Sequence, residues 1–196
     1  QGTGTANFGQ IGADGTTRFG SFTLAGAGAF TFLDVDTKRT LYFLGSDQQR
    51  AGFNAQVYSL RAELRQDGVE AGGFRFQPVA AIQWQQVNNA GYSESSTLTG
   101  SVNGLTVSGQ SQTSLRTELG AQAQGAMQVG GVPVQGFVRA AWAYYLTQDA
   151  AMNLGFTSLP NAGFTVRGAR GDASAALLSG GLEMPTPSHR ATSSMC

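Results

Sequence analysis

Apolar and polar residues alternate along six stretches of this chain, each about ten positions or longer, and no stretch is apolar on both faces. A β-strand reads this way when one side meets lipid and the other a wet lumen. In the segment 73–85 the even positions are Phe74, Phe76, Pro78, Ala80, Ile82 and Trp84, and the odd ones are Arg75, Gln77, Val79, Ala81, Gln83 and Gln85. Val134, Val138, Ala140, Trp142, Tyr144 and Leu146 repeat the pattern against Gln135, Arg139 and Thr147. Leu115, Leu119, Ala121, Ala123 and Met127 repeat it against Arg116, Glu118, Gln122 and Gln124.

A soluble sandwich alternates too, because its strands have one face on a core and one in water. Strand length separates the two cases. Globular strands mostly run about five or six residues, a tilted membrane-crossing strand needs roughly 9–11, and the runs here reach that length. The polar face agrees. A soluble surface is about 25–35% charged, whereas this chain is 12% charged, its only lysine is Lys38, and Gln, Ser, Thr, Ala and Gly supply the rest of the polar side. Such residues suit a narrow lumen crowded by facing walls.

The remaining composition mostly excludes. The 12 basic and 12 acidic residues cancel, so nothing points to nucleic acid or another polyanion. There is no run of 18 apolar residues for a spanning helix, a test that barrel strands evade by alternating. The single cysteine, Cys196, has no partner for a disulfide, and no metal-ligand spacing or cofactor motif occurs. The sequence opens on Gln1 without a signal segment, and from Pro185 to Cys196 it holds prolines but no alternation. We therefore expect a barrel domain over 1–184 and an unpatterned tail over 185–196.

Seven strands are expected at about Thr5–Ala13, Arg18–Val35, Gly52–Gln66, Gly73–Val87, Ser111–Gln128, Pro133–Gln148 and Ala173–Met184. Their connections alternate in length. The segments 13–16, 67–72 and 129–131 are brief and carry glycine, as hairpin turns require. Asp36–Arg50, Asn88–Gln110 and Asp149–Asp172 are long and polar. Outer-membrane barrels show this asymmetry, with short periplasmic turns and longer external loops.

Aromatic residues gather at the two ends that this sidedness defines. Phe74 and Phe76 lie near the short turns, and Trp84, Trp142 and Tyr144 near the long loops, so these five are expected at the membrane interfaces. The charges within strands, Arg61, Glu63, Arg65, Arg75, Arg116, Glu118, Arg139 and Glu183, share parity with the polar residues of their strands. A basic residue on the lipid side near the midplane costs about 2–4 kcal/mol. All eight are therefore expected to face the lumen, as a paired network, as contacts for a polypeptide threading the pore, or both.

Taken in order, several segments resemble the translocator β-domain of autotransporters, the type V secretion barrel of Gram-negative bacteria. They are 36–39 (Asp-Thr-Lys-Arg), 76–84 with its Pro78, 114–121 with Ser114, Arg116, Thr117, Leu119 and Gly120, Val138 to Trp142, and Phe164 to Asp172. The resemblance implies an all-β, antiparallel up-and-down transmembrane barrel of twelve strands, of which this chain is similar to strands four to ten. It departs from the family pattern at Gly171, where an arginine is common, and in its tail, where the family ends on an aromatic strand. By the same resemblance the partners are outer-membrane lipid, a passenger polypeptide outside this sequence and the barrel-assembly machinery, and the place is the bacterial outer membrane.

No catalytic constellation is expected. The sole histidine, His189, lies in the unpatterned tail, Arg170-Gly171-Asp172 is a chance-level tripeptide, and Gly26 and Gly28 complete no phosphate loop. Glu94 has no partner that the sequence names. The function expected is export of an N-terminal passenger to the cell surface, not catalysis. The alternatives are a porin-like or adhesin-type barrel acting through its long loops, or a soluble β-fold holding an apolar ligand.

Overall fold

The computed structural model describes residues 2–42, 47–98, 102–129, 132–148, 151–168 and 171–183. Thirteen strands appear in chain order among them: β1 (Gly2–Phe19), β2 (Phe22–Leu41), β3 (Asp47–Gln66), β4 (Val69–Ala71), β5 (Phe74–Asn89), β6 (Tyr92–Ser93), β7 (Ser95–Ser96), β8 (Leu105–Val107), β9 (Gln110–Val129), β10 (Val132–Gln148), β11 (Ala151–Phe156), β12 (Leu159–Arg167) and β13 (Ser174–Glu183). The main sheet runs β1-β2-β3-β5-β9-β10-β13, every neighbouring pair antiparallel. These are the seven strands that the alternation predicts. The sheet is not closed into a barrel, for β1 and β13 each pair on one side only. The short β4 adds to β5 and β7 adds to β3.

Strand register stacks like residues into rows. Leu24, Leu64, Ala80, Leu119, Trp142 and Ala176 lie in one row across β2, β3, β5, β9, β10 and β13. The next row on the other face carries Ala25, Glu63, Ala81, Glu118 and Ala143. One face is thus apolar and the other polar, and the apolar one is the more open. Leu119 is 68% exposed while Glu118, its neighbour on the opposite face, is 4% exposed. This inverts the arrangement that water imposes on a soluble sheet.

On β2 the apolar face runs from Phe22 through Leu24, Gly26, Gly28 and Phe30 to Phe32. Eleven residues at ~3.3 Å each, tilted by ~40°, give a band roughly 25 Å tall. Beyond Phe32 the pattern reverses: Asp34, Asp36 and Lys38 occupy the exposed side, and Val35, Thr37 and Arg39 are half-buried on the other. The expected long loop Asp36–Arg50 is therefore mostly strand, since β2 continues to Leu41 and β3 begins at Asp47.

The first turn also falls elsewhere than expected. The Asp14-Gly15 pair stays within β1, and the chain reverses at Gly20-Ser21, where Gly20 has φ 56° and Phe19 stacks on Phe22 at 6.0 Å. Full pairing of β1 with β2 through Phe19–Phe22 overrides the local Asp-Gly signal. Gly72 and Gly73, with φ 61° and 80°, supply the two positive dihedrals of a tight hairpin turn. Arg18 meets Asp67 at 2.5 Å, tying the two turns at this end together. Between β9 and β10, Gly120 allows a close approach: a Cβ there would lie 2.2 Å from the Ala140 carbonyl oxygen.

The long segments at the other end are not structureless loops. β6 and β8 come from one and β11 and β12 from the other, and the four pair as a second antiparallel sheet ordered β12-β11-β8-β6.

Candidate functional site

Six of the charges picked out by parity meet on the polar face of β3, β9 and β10. Arg61 grips Glu118 with both Nη atoms, at 3.0 and 2.8 Å, and donates to Glu63 at 2.9 Å. Arg139 donates to Glu63 at 2.7 Å and to Glu118 at 3.2 Å. Arg116 pairs with Glu118 at 2.8 Å, donates to Gln83 at 2.7 Å, and places its guanidinium 5.6 Å from the Tyr145 ring centre. Arg65 completes the group at 3.4 Å from Glu63.

Small residues make room for these contacts. Ala81 and Ala143 lie in the same row as the two glutamates, and both are buried beneath the network. The charges number four arginines against two glutamates, so each carboxylate is shared and the cluster stays net positive. Sharing offsets the cost of removing charges from water, which isolated buried ions cannot recover.

Arg75 does not join them. It has the same parity but sits beside the short turns, where it donates to Glu70 at 2.7 Å in an exposed pair. The Glu183 side chain lies outside the described residues, as do Arg170 and the whole of 184–196 with His189 and Cys196. Phe74, Phe76, Trp142 and Tyr144 are exposed on the apolar face, and Trp84, with the same parity, is half-buried there.

A second constellation escaped the sequence reading. Arg39, on the polar side of β2, holds Glu94 through Nε at 3.2 Å and reaches the Asn103 carbonyl at 3.1 Å. Glu94 also accepts the Leu105 amide at 2.9 Å. Tyr92 stacks on Phe53 at 4.6 Å, and Ser96 bonds the buried Asp47. Phe53 shares parity with Arg61, so Tyr92 and Glu94 lie against the polar face at the long-loop end, while Ser95 and Ser96 extend the sheet beside β3. Burial, and after it the Glu94 carboxylate, pushes the Tyr92 phenol above its ordinary range. The sequence signal was faint: one acidic residue in a polar segment, with its partner 55 positions away.

Among the described residues no three His, Cys, Asp or Glu side chains gather as a metal site would require. A long-stranded, up-and-down antiparallel sheet with apolar residues outermost and ion pairs on its sheltered face defines the wall of a membrane β-barrel. The sequence model of the autotransporter beta-domain family matches residues 1–192, and the chain belongs to that family. The family is one of outer-membrane translocators, not of enzymes. No curated protein matches the chain significantly.

Proposed function

We propose that this chain forms part of the outer-membrane wall through which an autotransporter passenger reaches the cell surface. The observation that carries the reading is the inversion of faces, with Leu119 open and Glu118 buried, in a member of a translocator family. In this reading Arg61, Glu63, Arg65, Arg116, Glu118 and Arg139 line the lumen, with Arg75 and Glu183 toward its ends. The apolar band, roughly 25 Å tall, matches the outward belt of such barrels. Phe74 and Phe76 mark one interface, and Trp84, Trp142 and Tyr144 the other. The domain takes up 1–184, with 185–196 as a tail, and its partners are the surrounding lipid, the passenger and the barrel-assembly machinery.

The lumen wall favours passage because its carboxylates are already paired. A cluster whose carboxylates are each shared by several guanidinium groups presents hydrogen-bonding surface without a single dominant trap for a moving backbone.

Expression behind a signal peptide and a soluble reporter tests the export. The reporter should become sensitive to protease added to intact cells. A chain inserted in the outer membrane whose reporter stays periplasmic would overturn export while leaving the barrel reading intact. An adhesin-type reading draws on the second sheet, where Leu159, Phe164 and Val166 stand exposed. Host-surface binding that persists without any passenger would favour it.

A further inference from the structure

The side of the wall that carries Arg61 and Glu118 changes character at the long-loop end, and it does so strand after strand. Val35 pairs with Phe53, Phe53 stacks on Tyr92, and Tyr92, Val107, Leu154 and Phe164 are level with one another across β6, β8, β11 and β12. Residues opposite one another on neighbouring strands project to the same side of a sheet, so these six share the side of Arg61. Phe156 joins them, 5.9 Å from Phe164. The next row, on the outward side, holds only polar residues and glycine: Asp36, Gly52, Ser93, Thr106, Gly155 and Gly163. The small sheet is the wall carried upward with its faces exchanged. β10 and β13 pair as far as Tyr144 and Ser174, and β11 and β12 take up at Ala151 and Arg167, an equal step along each strand.

We propose that this row is an apolar collar at the mouth of the lumen, which holds an extended, apolar stretch of the exported polypeptide as it leaves; the collar rests on the export reading above. Position selects the occupant. Val35 stands three residues past Phe32, which at ~3.3 Å each and a tilt of ~40° is roughly 8 Å beyond the apolar band, and it faces away from lipid. The contact of Arg139 with Glu63, three strands apart, makes this the concave side of the sheet. A second folded copy cannot enter such a concavity, whereas a single extended chain can. Because the collar continues the charged wall strand by strand, a chain in the lumen meets it on the way out.

Charge does not compete for the surface, since the nearest ions on this side, Arg39 and Glu94, hold each other. Apolar area is left to cover. Val107 is buried in the middle of the row, but Phe164 at one end is 42% exposed, with Val166 beside it on the same side at 48%. At the other end Phe8 is 73% exposed, level with Leu33 one inward position nearer the band. An extended chain with apolar residues at every second position lays them along this surface. Sliding back would return them to the charged wall and lose that burial, so the collar favours outward movement.

Cysteine protection tests the collar on the full chain folded in zwitterionic micelles. In a Cys196→Ser background, Val166→Cys places a thiol on the collar side of β12 and Thr165→Cys places one on the opposite side. A water-soluble peptide of about ten residues that alternates Val with Thr should slow maleimide labelling at position 166 several-fold and saturably, and leave position 165 unchanged. Its counterpart with Ser in place of Val should protect neither. Leu154→Asn should weaken the apparent affinity roughly tenfold while labelling at position 165 stays as in the parent. Equal protection at the two positions would overturn the collar, as would equal protection by the two peptides, or none by either on a folded chain. These outcomes leave export to the reporter assay, whereas a chain that gains no β-structure in micelles would overturn the membrane wall and the collar together.

Discussion

Arg139 on β10 meets Glu63 on β3 at 2.7 Å although β5 and β9 stand between the two strands. Through the hydrogen-bond register Glu63 is level with Ala81, Glu118 and Ala143, so Arg139 reaches across a displacement of four residues as well. Three interstrand steps of ~4.8 Å would hold the two backbones roughly 14 Å apart in a flat sheet. The contact therefore records curvature, and its diagonal course records the tilt and stagger that a closing barrel requires.

Glu118 is the acceptor on which that contact network converges. Glu118→Gln should destabilise the folded chain by about 3 kcal/mol, since three guanidinium groups lose a shared counter-charge in a sheltered place. Urea unfolding in micelles measures this. Glu70→Gln, which breaks only the exposed pair with Arg75, should leave the urea midpoint unchanged.

The two faces of β5 should respond oppositely to the same new charge. Ile82→Arg, and likewise Leu119→Arg, should cost about 2–4 kcal/mol or abolish insertion into vesicles. Gln85→Arg, on the polar face of the same strand but outside the arginine cluster, should be near neutral. Equal losses at positions 82 and 85 would contradict the assignment of faces.

Gly120 should tolerate no side chain. Gly120→Ala forces a Cβ onto the Ala140 carbonyl and the Ala141 backbone, so β9 and β10 must part, at a cost of about 1–3 kcal/mol. Gly26→Ala, whose Cβ would meet nothing within 4 Å, is the control and should unfold as the parent does.

Sidedness is open to labelling on intact cells. With Cys196 replaced by Ser, a cysteine at Val102 in the long-loop end should react with an impermeant maleimide, and one at Ser21 in the first short turn should not. The reverse pattern would invert the topology.

The Arg39–Glu94 pair should govern the loop that lies against the polar face. Glu94→Gln removes the charge that holds Arg39 and weakens the acceptor for the Leu105 amide. Amide exchange at Leu105 should then speed up several-fold while exchange in β9 stays slow, which mass spectrometry of the digested chain resolves.

The strands of the wall were legible because a period of two survives whatever packs around it. Ile82, Leu119 and Trp142 fall on one face, and Gln83, Glu118 and Arg139 on the other, by counting alone. The ends were less legible. Polarity from Asp36 and Lys38 onward resembled a loop, whereas it marks the level where the outward face turns wet and the inward face takes Val35 and Phe53. Asp14-Gly15 carried a turn signal that eighteen paired positions of β1 overrode. The meeting of Arg61, Arg116 and Arg139 over two carboxylates depended on sheet curvature, which parity does not encode. Arg39 and Glu94, and the joining of two loops into one sheet, depended on contacts between distant segments with no local pattern at all.

That joining carries an order of events. Val107 pairs with Leu154, and these belong to different hairpins of the wall, the first springing from β5 and β9 and the second from β10 and β13. Neither partner can find the other until the four long strands beneath them stand in register, because the entropy of closing so large a loop is recovered only once the wall has met most of it. The small sheet is thus a late event in assembly and a proofreader of it. A slip of one residue between β9 and β10 would leave β8 and β11 out of step, with the edges of the small sheet unpaired.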